Sequence, residues 1–358
     1  MPKTLSIADF SEFLLFNPQN GYYITKNPIG NNKDGDFITS PEISGLFGEM
    51  IAVYLLNLFS FQQKPIVLVE MGGGQGTLMF DVLNTIKKLA KTNDLAKNFW
   101  QSCQVAMVEI SPTLTKVQQQ KLAEFKVAWY VDFASFLANY QQQIFFFSNE
   151  LFDCFTINQY VKTKHGWQLR MVAFEGELAN HNFCNLQFVL SDFCPQQHNL
   201  VMQILGEENS DLAPINAVFE YAPKSHIFAK QLASALNKQG GFAINIDYGY
   251  AKYEFANTLQ VLKNQQKQSF LTACKNADIT ALVDFVLLQK VAKQHNLQCS
   301  LISQGEFLQQ LGIITRAEIL QKAQPQKAQQ IATDVARLID FSQMGSLFNV
   351  LVCWHCFG

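Results

Sequence analysis

Charged residues are scarce in this chain, and neither sign is in excess. They make up 16% of the 358 residues, and 27 Lys and Arg nearly balance 29 Asp and Glu, for a net charge of -2. An ordinary soluble protein carries roughly 25% charged residues. Because there is no basic excess, we expect no nucleic-acid partner. Gln and Asn replace much of the missing charge, and we interpret the Gln tracts at 118–120 and 141–143 as solvated helix ends or loops.

Long hydrophobic runs are also lacking. The longest candidates, 51–59 and 347–354, fall short of the roughly 18 residues that a membrane-spanning helix needs. The N-terminus has no apolar segment of the signal-peptide kind, and its Lys3 is followed early by Asp9 and Glu12. We therefore expect no membrane span, no signal or transit peptide, and a bacterial-type cytoplasmic location.

The cysteines show no framework of pairs. There are eight, at Cys103, Cys154, Cys184, Cys194, Cys274, Cys299, Cys353 and Cys356. Only Cys353 and Cys356 have suggestive spacing, and no second Cys or His pair completes a zinc site. We favour buried thiols in a reducing compartment over a redox or metal role, and we predict no metal site. The sequence also lacks a G-x-S-x-G turn, an H-E-x-x-H motif and a phosphate loop with Lys.

Strand-like and helical patterns alternate from residue 61 to 156 and resume after 221. Apolar runs of strand length lie at 66–69, 105–108, 127–131, 144–147 and 242–249. Such alternation predicts a parallel sheet covered by helices, in a domain formed by 61–156 and 221–358. Residues 157–220 contain several short strands separated by turns, which indicates an inserted antiparallel arm. Residues 1–60 are predicted to form a helical or lid segment.

A glycine-rich turn follows the first predicted strand. Gly72, Gly74 and Gly76 let the backbone approach a ligand closely, and the helix that opens at Thr77 presents free N–H groups. The spacing is G-x-G-x-G, whereas a dinucleotide fingerprint needs G-x-G-x-x-G. Glu70 directly before the turn would repel a pyrophosphate and suits a cationic ligand.

Glu109 ends the next predicted strand. A carboxylate there can accept hydrogen bonds from both hydroxyls of a ribose. A nucleoside with a positive centre and no phosphate fits Glu109 and Glu70 together, which points to S-adenosylmethionine. A turn with only a packing role is the alternative, and an NAD-dependent oxidoreductase is disfavoured by the loop spacing and by Glu70.

Further acids follow other predicted strands. Glu150 and Asp153 would share one helix face and could clamp a guanidinium, or Asn149 could simply cap a helix with acids in its first turn. These two interpretations stay equal on spacing alone. Asp36, before a predicted helix, and Asp247, at the end of a strand, are weaker candidates for the same crevice.

These motifs together resemble those of one known family. The segments that carry the resemblance are 21–25, 35–44, 47–49, 70–78, 108–111, 148–153, 246–249, 278–285 and 304–308. They are similar to those of the family of MidA-like proteins and complex I assembly factor 7, class I S-adenosylmethionine-dependent protein-arginine methyltransferases. The resemblance covers nearly the whole chain, with departures at Gly73, Gln75, Cys154, Thr156 and Leu282.

The resemblance implies a Rossmann-like α/β methyltransferase sheet with an inserted antiparallel β-rich arm. It implies S-adenosyl-L-methionine as cofactor and a protein partner methylated on arginine, with a respiratory-chain subunit as one option. We assign Glu70, Gly72, Gly74, Gly76, Thr77, Glu109 and Asn149 to the cofactor. We assign Glu150, Asp153, Asp36 and Asp247 to catalysis, with Glu150 as the leading candidate. An assembly protein that binds the cofactor without turnover stays an alternative, and a homodimer is left open.

Overall fold

The computed structural model describes residues 2–26, 39–179, 181–263 and 266–355. The strands are β1 (Lys3–Ser6), β2 (Ile66–Met71), β3 (Cys103–Val108), β4 (Val127–Tyr130), β5 (Gln143–Asn149), β6 (Asn158–Thr163), β7 (Gly166–Glu177), β8 (Asn182–Leu190), β9 (Val218–Tyr221), β10 (Gly241–Tyr250), β11 (Gln260–Lys263), β12 (Gln266–Gln268), β13 (Asp278–Thr280), β14 (Val283–Asp284), β15 (Leu297–Ser303) and β16 (Phe348–His355).

The α-helices run between and around these strands, with one 3-10 turn at Pro325–Lys327. They are α1 (Ile7–Phe16), α2 (Tyr22–Thr25), α3 (Ser40–Ile43), α4 (Gly45–Ser60), α5 (Thr77–Leu89), α6 (Asp94–Ser102), α7 (Pro112–Lys121), α8 (Phe133–Leu137), α9 (Pro195–Leu205), α10 (Glu207–Leu212), α11 (Pro223–Gln239), α12 (Phe270–Ala273), α13 (Phe285–Gln294), α14 (Gln304–Gln310), α15 (Ile313–Ala323), α16 (Ala328–Ile339) and α17 (Met344–Leu347).

The chain divides into two compact units. The first contains the described residues up to 26 together with Phe152–Ala229 and Gly249–Lys290. The second contains the described residues 39–151, Lys230–Tyr248 and 291–355. The chain therefore leaves the second unit at Leu151 and returns to it twice.

The second unit is built on a mixed sheet with strand order β15-β16-β10-β5-β2-β3-β4. Strands β10, β5, β2, β3 and β4 are parallel to one another, and β16 is antiparallel to both β10 and β15. The central strands are buried over almost their whole length, so they read as continuous apolar runs, as parallel strands covered on both faces do. The predicted Rossmann-like α/β sheet is confirmed.

Helix signals in the sequence explain where the helices next to the sheet begin. Ser111 caps α7 by accepting a hydrogen bond from the Leu114 amide, and Pro112 follows in the first turn. Helix α5 starts after Gly76, and its apolar residues recur at helical spacing on a buried face. Helix α5 packs on the sheet through a core that includes Leu68, Ile86 and Phe145.

The first unit contains two antiparallel sheets. One has the order β1-β7-β6-β9, with β8 also paired to β7, and the other has the order β12-β11-β13. Helix α1 packs its buried side chains into the core of this unit, where Phe10 contacts the rings of Phe174 and Phe183. The three strands that the sequence predicts in the 157–220 segment are present as β6, β7 and β8, and β9 is an additional strand that it does not predict.

The boundaries of the units differ from those that the sequence predicts. The sequence predicts a separate helical or lid segment over residues 1–60, but β1 pairs antiparallel with β7, from Lys3 opposite Phe174 to Ser6 opposite Met171. Residues 249–290 were assigned to the Rossmann-like domain, but β11 and β13 pair within the first unit and contribute Val261 and Ile279 to its core. Strand pairing between segments distant in sequence leaves no local signal, which explains both corrections.

Candidate cofactor and methyl-transfer site

Three predicted site segments lie at one edge of the sheet in the second unit. Strands β5, β2 and β3 are adjacent and parallel, and they end at Asn149, Met71 and Val108. The glycine turn, Glu109 and Glu150 follow these three ends directly. In open parallel sheets ligands bind beyond the carboxyl ends of the strands, so the fold brings these segments to the edge where a site is expected.

The glycine turn depends on backbone that other residues rarely adopt. Gly72, Gly74 and Gly76 have φ values of +69°, +52° and +78°. The Gly72 amide donates to the Val108 carbonyl at 3.0 Å, and the Gly76 amide donates to the Gly73 carbonyl at 2.7 Å. A Cβ on Gly73 would come within 2.5 Å of the Met107 side chain. The turn therefore requires glycine for its own shape.

Glu70 is a buried acid with an unused oxygen. Its side chain is 2% exposed, and the Met79 backbone is a hydrogen-bond partner of its carboxyl group. Its Oε2 atom has no hydrogen-bond partner among the described residues. Burial raises the pKa of Glu70 from 4.5 to about 8, and repulsion from Glu109 contributes. An acid in this state gains from a cationic or hydrogen-bond-donating ligand.

Glu109 is held by two hydrogen bonds from its own unit. The Ser111 amide donates to Oε1 at 2.8 Å, and the Gln118 Nε2 atom donates to Oε2 at 3.0 Å. Burial raises the pKa of Glu109 from 4.5 to about 7, against the lowering effect of these hydrogen bonds. Each carboxylate oxygen keeps a lone pair, which is the capacity that two ribose hydroxyls require.

Gln118 is a site residue that the sequence did not reveal. The tract 118–120 was expected to be solvated, and Gln119 and Gln120 are exposed, but Gln118 is 0% exposed. The only feature of the local sequence that points to burial of Gln118 is its helical spacing. It lies four residues after Leu114 and three before Lys121, on the inner face of α7. The expectation for Gln118 was wrong because its burial depends on partners elsewhere in the chain.

Thr77 uses its hydroxyl group for contacts within the second unit. The Thr77 hydroxyl donates to Glu42 Oε1 at 2.5 Å and accepts a hydrogen bond from the Lys121 ammonium. Nearby Asp81, in the next turn of α5, has its pKa raised to about 6, chiefly by burial. The assignment of Thr77 to the cofactor remains a prediction. Its backbone at the start of α5, and not its hydroxyl group, can make that contact.

Glu150 lies in a tight turn and not in a helix. Its φ is +53°, a left-handed conformation that is costly for a residue with a side chain. The Glu150 amide donates to the Ile246 carbonyl at 2.9 Å, and Asn149 Nδ2 donates to the Glu150 carboxylate at 2.9 Å. The interpretation of Asn149 as a helix N-cap is therefore wrong. Asn149 Oδ1 is buried and has no hydrogen-bond partner among the described residues.

Asp247 supports this turn from β10. Its Oδ2 atom accepts a hydrogen bond from the Leu151 amide at 3.1 Å, and its Oδ1 atom accepts one from the Tyr248 amide at 2.9 Å. It is 1% exposed. These contacts give Asp247 a positioning role on the backbone next to Glu150, and its assignment to substrate contact remains a prediction.

Asp153 and Asp36 are the two other acids that the sequence assigns to catalysis. Asp153 is buried and belongs to the first unit, and no helix joins it to Glu150, so the expectation of a shared helix face is wrong. Asp36 lies outside the described residues. The described part of the chain holds no cluster of three or more potential metal-ligating side chains. Within the same residues, no helix is long and apolar enough to cross a membrane.

The sequence matches a family profile over residues 50–303. The family is described as "Putative S-adenosyl-L-methionine-dependent methyltransferase". The chain belongs to this family. Its cofactor is accordingly S-adenosyl-L-methionine, and the predicted methyltransferase activity is confirmed at this level.

Relatives with similar sequences are named as methyltransferases too. The protein arginine methyltransferase NDUFAF7 of Bos taurus is 28% identical, over 97% of this chain and 79% of the relative. The human protein of the same name is also 28% identical, over 96% of this chain and 79% of the relative. A crystal structure of a Burkholderia thailandensis protein bound to S-adenosyl-homocysteine has a TM-score of 0.80, with 21% identity, and covers 98% of this chain and 88% of that one. This last likeness shows the fold.

The residues at the sheet edge fit S-adenosylmethionine. Oε2 of Glu70 and Oδ1 of Asn149 are buried acceptors for which the described part of the chain supplies no donor, and the ligand carries a sulfonium, an ammonium and two ribose hydroxyls. The backbone of the glycine turn runs beside Glu70, because a Cβ on Gly73 would lie 2.9 Å from the Glu70 carboxyl carbon. Glu109 is placed to accept the hydroxyls. Buried acceptors of this kind are costly unless a ligand satisfies them.

Proposed function

We propose that this protein transfers a methyl group from S-adenosylmethionine to an arginine side chain of a protein partner. The observation that carries the proposal is Glu150, a carboxylate held in a strained turn at the same sheet edge as the glycine turn and Glu109. The names of the relatives, protein arginine methyltransferases, support arginine as the acceptor. Strain of this kind concentrates at functional positions.

The residues of the second unit divide the work between binding and positioning. Glu109 orients the nucleoside, while Glu70 and Asn149 supply acceptors for the charged and donor groups of the ligand. When bound, the cofactor supplies an activated methyl group on a sulfonium. What remains for the protein is to align a nucleophile behind that methyl group and to exclude water.

Glu150 acts on the acceptor. A guanidinium keeps a pKa above 12, so no side chain deprotonates it before the reaction. A carboxylate that pairs with one side of the guanidinium concentrates the positive charge there and leaves the opposite nitrogen a better nucleophile. The hydrogen bonds that Asp247 and Ile246 make with the 150–151 backbone hold Glu150 at a fixed position for this pairing.

The test is a Glu150→Gln variant, which keeps the size of the side chain and removes its charge. We expect the single-turnover rate of methyl transfer to fall by about two orders of magnitude, while the dissociation constant for S-adenosylmethionine stays within about twofold. Asp94→Asn, at an exposed acid in α6, is the matched control and should change neither quantity. A Glu150→Gln variant that loses affinity but keeps its rate would place Glu150 on the cofactor instead.

The acceptor protein is found by mass spectrometry of methyl-arginine peptides from cells with and without this protein. A respiratory-chain subunit is the first candidate to inspect. Cofactor binding without any dependent methylation would favour the assembly protein without turnover. The cytoplasmic location and a homodimer stay predictions, for which cell fractionation and light scattering are the measurements; the NDUFAF7 relatives are named mitochondrial.

A further inference from the structure

One face of α7 contacts the middle of the glycine turn, the start of α5 and the acid after β3. The Gln118 Nε2 atom donates to the Gly74 carbonyl at 2.9 Å and to Glu109 Oε2 at 3.0 Å. One turn further along the same face, Lys121 donates to the Thr77 hydroxyl. A single buried amide nitrogen thus joins the glycine turn to the acid that is assigned to the ribose.

The orientation of this amide is fixed by a third partner. The indole Nε1 of Trp129, on β4, donates to Gln118 Oε1 at 3.2 Å. Because an indole can only donate, a flipped amide would place its NH2 group against the indole N–H and its oxygen against the Gly74 carbonyl and Glu109. Trp129, together with the Gly74 carbonyl and Glu109, therefore fixes which end of Gln118 faces the site.

The side chain of Gln118 also packs against the turn. A Cβ on Gly76 would lie 3.3 Å from Gln118 Cγ, so the aliphatic part of Gln118 and the backbone of the turn are in close contact. Both hydrogens of Nε2 and its oxygen are used, and the side chain is fully buried. This degree of satisfaction is what a fixed spacer between two ligand-binding elements requires.

We propose that Gln118 is the positioning residue of the cofactor site. It sets the distance between the Gly74 backbone and Glu109, and its hydrogen bond to Oε2 of Glu109 favours the charged form of the carboxylate. Trp129 holds Gln118 in the orientation that does this. The inference rests on the cofactor site described above and gives that site a residue on α7 and one on β4.

The proposal has a pH signature that a packing role lacks. Around Glu109, burial and repulsion from Glu70 on β2 oppose the carboxylate, whereas hydrogen bonds from the Ser111 amide, the Gln118 side chain and the Ile110 backbone favour it. Removing the Gln118 amide should raise the pKa of Glu109 further. The pH at which S-adenosylmethionine affinity reaches half of its limiting value should then move upward.

The experiment compares Gln118→Met with Gln118→Glu by calorimetry with S-adenosylmethionine across pH 6–9. Met keeps length and volume without hydrogen bonds, and we expect roughly tenfold weaker binding with an upward shift of the pH midpoint. Glu places an oxygen against the Gly74 carbonyl and against Glu109, and we expect a loss of roughly a hundredfold. Gln119→Met, at the exposed neighbouring position, is the matched control and should behave as the wild type.

A second variant covers the case in which Gln118 variants do not fold. Trp129→Phe leaves Gln118 in place but removes the donor that orients it, and we expect a loss of roughly threefold, the size of a weak neutral hydrogen bond. Unchanged affinity in folded Gln118→Met, weaker binding without a shift of the pH midpoint, or an unchanged Trp129→Phe would overturn the proposal. A wild-type protein that binds no S-adenosylmethionine would instead contradict the proposed function.

Discussion

Glu70 and Glu220 are both buried acids, one in each unit, and their surroundings differ. Glu70 is 2% exposed and Glu220 is 5% exposed. Burial raises the pKa of both. Glu70 nevertheless keeps an oxygen atom, Oε2, without any donor among the described residues.

Glu220 has donors for both oxygens from its own unit. Gln159 Nε2 donates to Oε1 at 2.7 Å, and the amides of Thr258 and Leu259 donate to the same atom at 3.0 Å and 3.2 Å. The Thr258 hydroxyl donates to Oε2. The acid thereby ties the 257–259 backbone to β6 and β9.

The comparison separates two uses of a buried carboxylate. Where the fold supplies every donor, as at Glu220, the acid is part of the structure. Where the fold leaves an oxygen without a donor, as at Glu70, the missing donor is expected from a ligand. The raised pKa is common to both acids and does not distinguish them.

Glu220→Ala should give the largest effect. It leaves four donors without their acceptor inside the first unit, and we expect a loss of about 3 kcal/mol or more in the free energy of unfolding. Hydrogen exchange of the β6 and β9 amides measures this loss locally. Affinity for S-adenosylmethionine should not change in the protein that remains folded.

Glu220→Gln provides the control, since it keeps one acceptor oxygen and should destabilise less than Ala. Equal stability of the wild type and Glu220→Ala would show that the four hydrogen bonds contribute nothing. The distinction between Glu220 as a structural acid and Glu70 as an acid that lacks a donor would then be wrong.

Glu70→Gln should give the converse result. We expect S-adenosylmethionine affinity to fall by roughly 10- to 100-fold, because a hydrogen bond or ion pair with a charged group is lost. Stability of the free protein should not fall with it. The pKa of Glu70 is raised from 4.5 to about 8, so the stabilising effect of its proton is complete below pH 4.5 and is lost as the pH rises through 8.

The urea midpoint of the wild type without ligand should therefore decline between pH 4.5 and 8, and Glu70→Gln should decline less. Leu68→Ala on the same strand is a matched packing control that lowers stability at every pH alike. An unfolding midpoint for Glu70→Gln well below the wild type at pH 8 would place Glu70 with Glu220, among the structural acids.

The sequence predicts the sheet well because its strands are local apolar runs. The run 66–69 lies within β2, 105–108 within β3, and 242–249 within β10. Buried parallel strands need apolar residues on both faces, so each strand can be recognised from its own sequence alone. The position of the glycine turn and of Glu109 follows from where those runs end.

The finer features of the site depend on partners far away in the chain. Gln118 sits in a polar tract, and only Trp129, Gly74 and Glu109 together make it a buried residue. Glu150 has the sequence surroundings of a helix start, and hydrogen bonds from its turn to β10, almost a hundred residues later, hold it left-handed instead. Hydrogen bonds between residues this far apart cannot be predicted from the local sequence pattern.

Binding of S-adenosylmethionine should also change the protonation of Glu70 and Glu109. The pKa of Glu109 is raised to about 7 and that of Glu70 to about 8, so both carboxyls hold part of a proton at pH 7.5 in the free protein. A ligand that donates to them favours the charged form and lowers both pKa values. Binding of S-adenosylmethionine should then release protons, about one per molecule at pH 7.5, so affinity should rise by about tenfold per pH unit near pH 7.5, more steeply below that pH and less steeply above it. Calorimetry at pH 7.5 in two buffers of different ionisation enthalpy gives the number of protons released per molecule bound.

In Glu70→Gln the proton release on binding should drop to the share of Glu109, whereas in Glu220→Gln it should equal that of the wild type. Proton uptake on binding, or the same release in Glu70→Gln as in the wild type, would mean that Glu70 does not face the ligand.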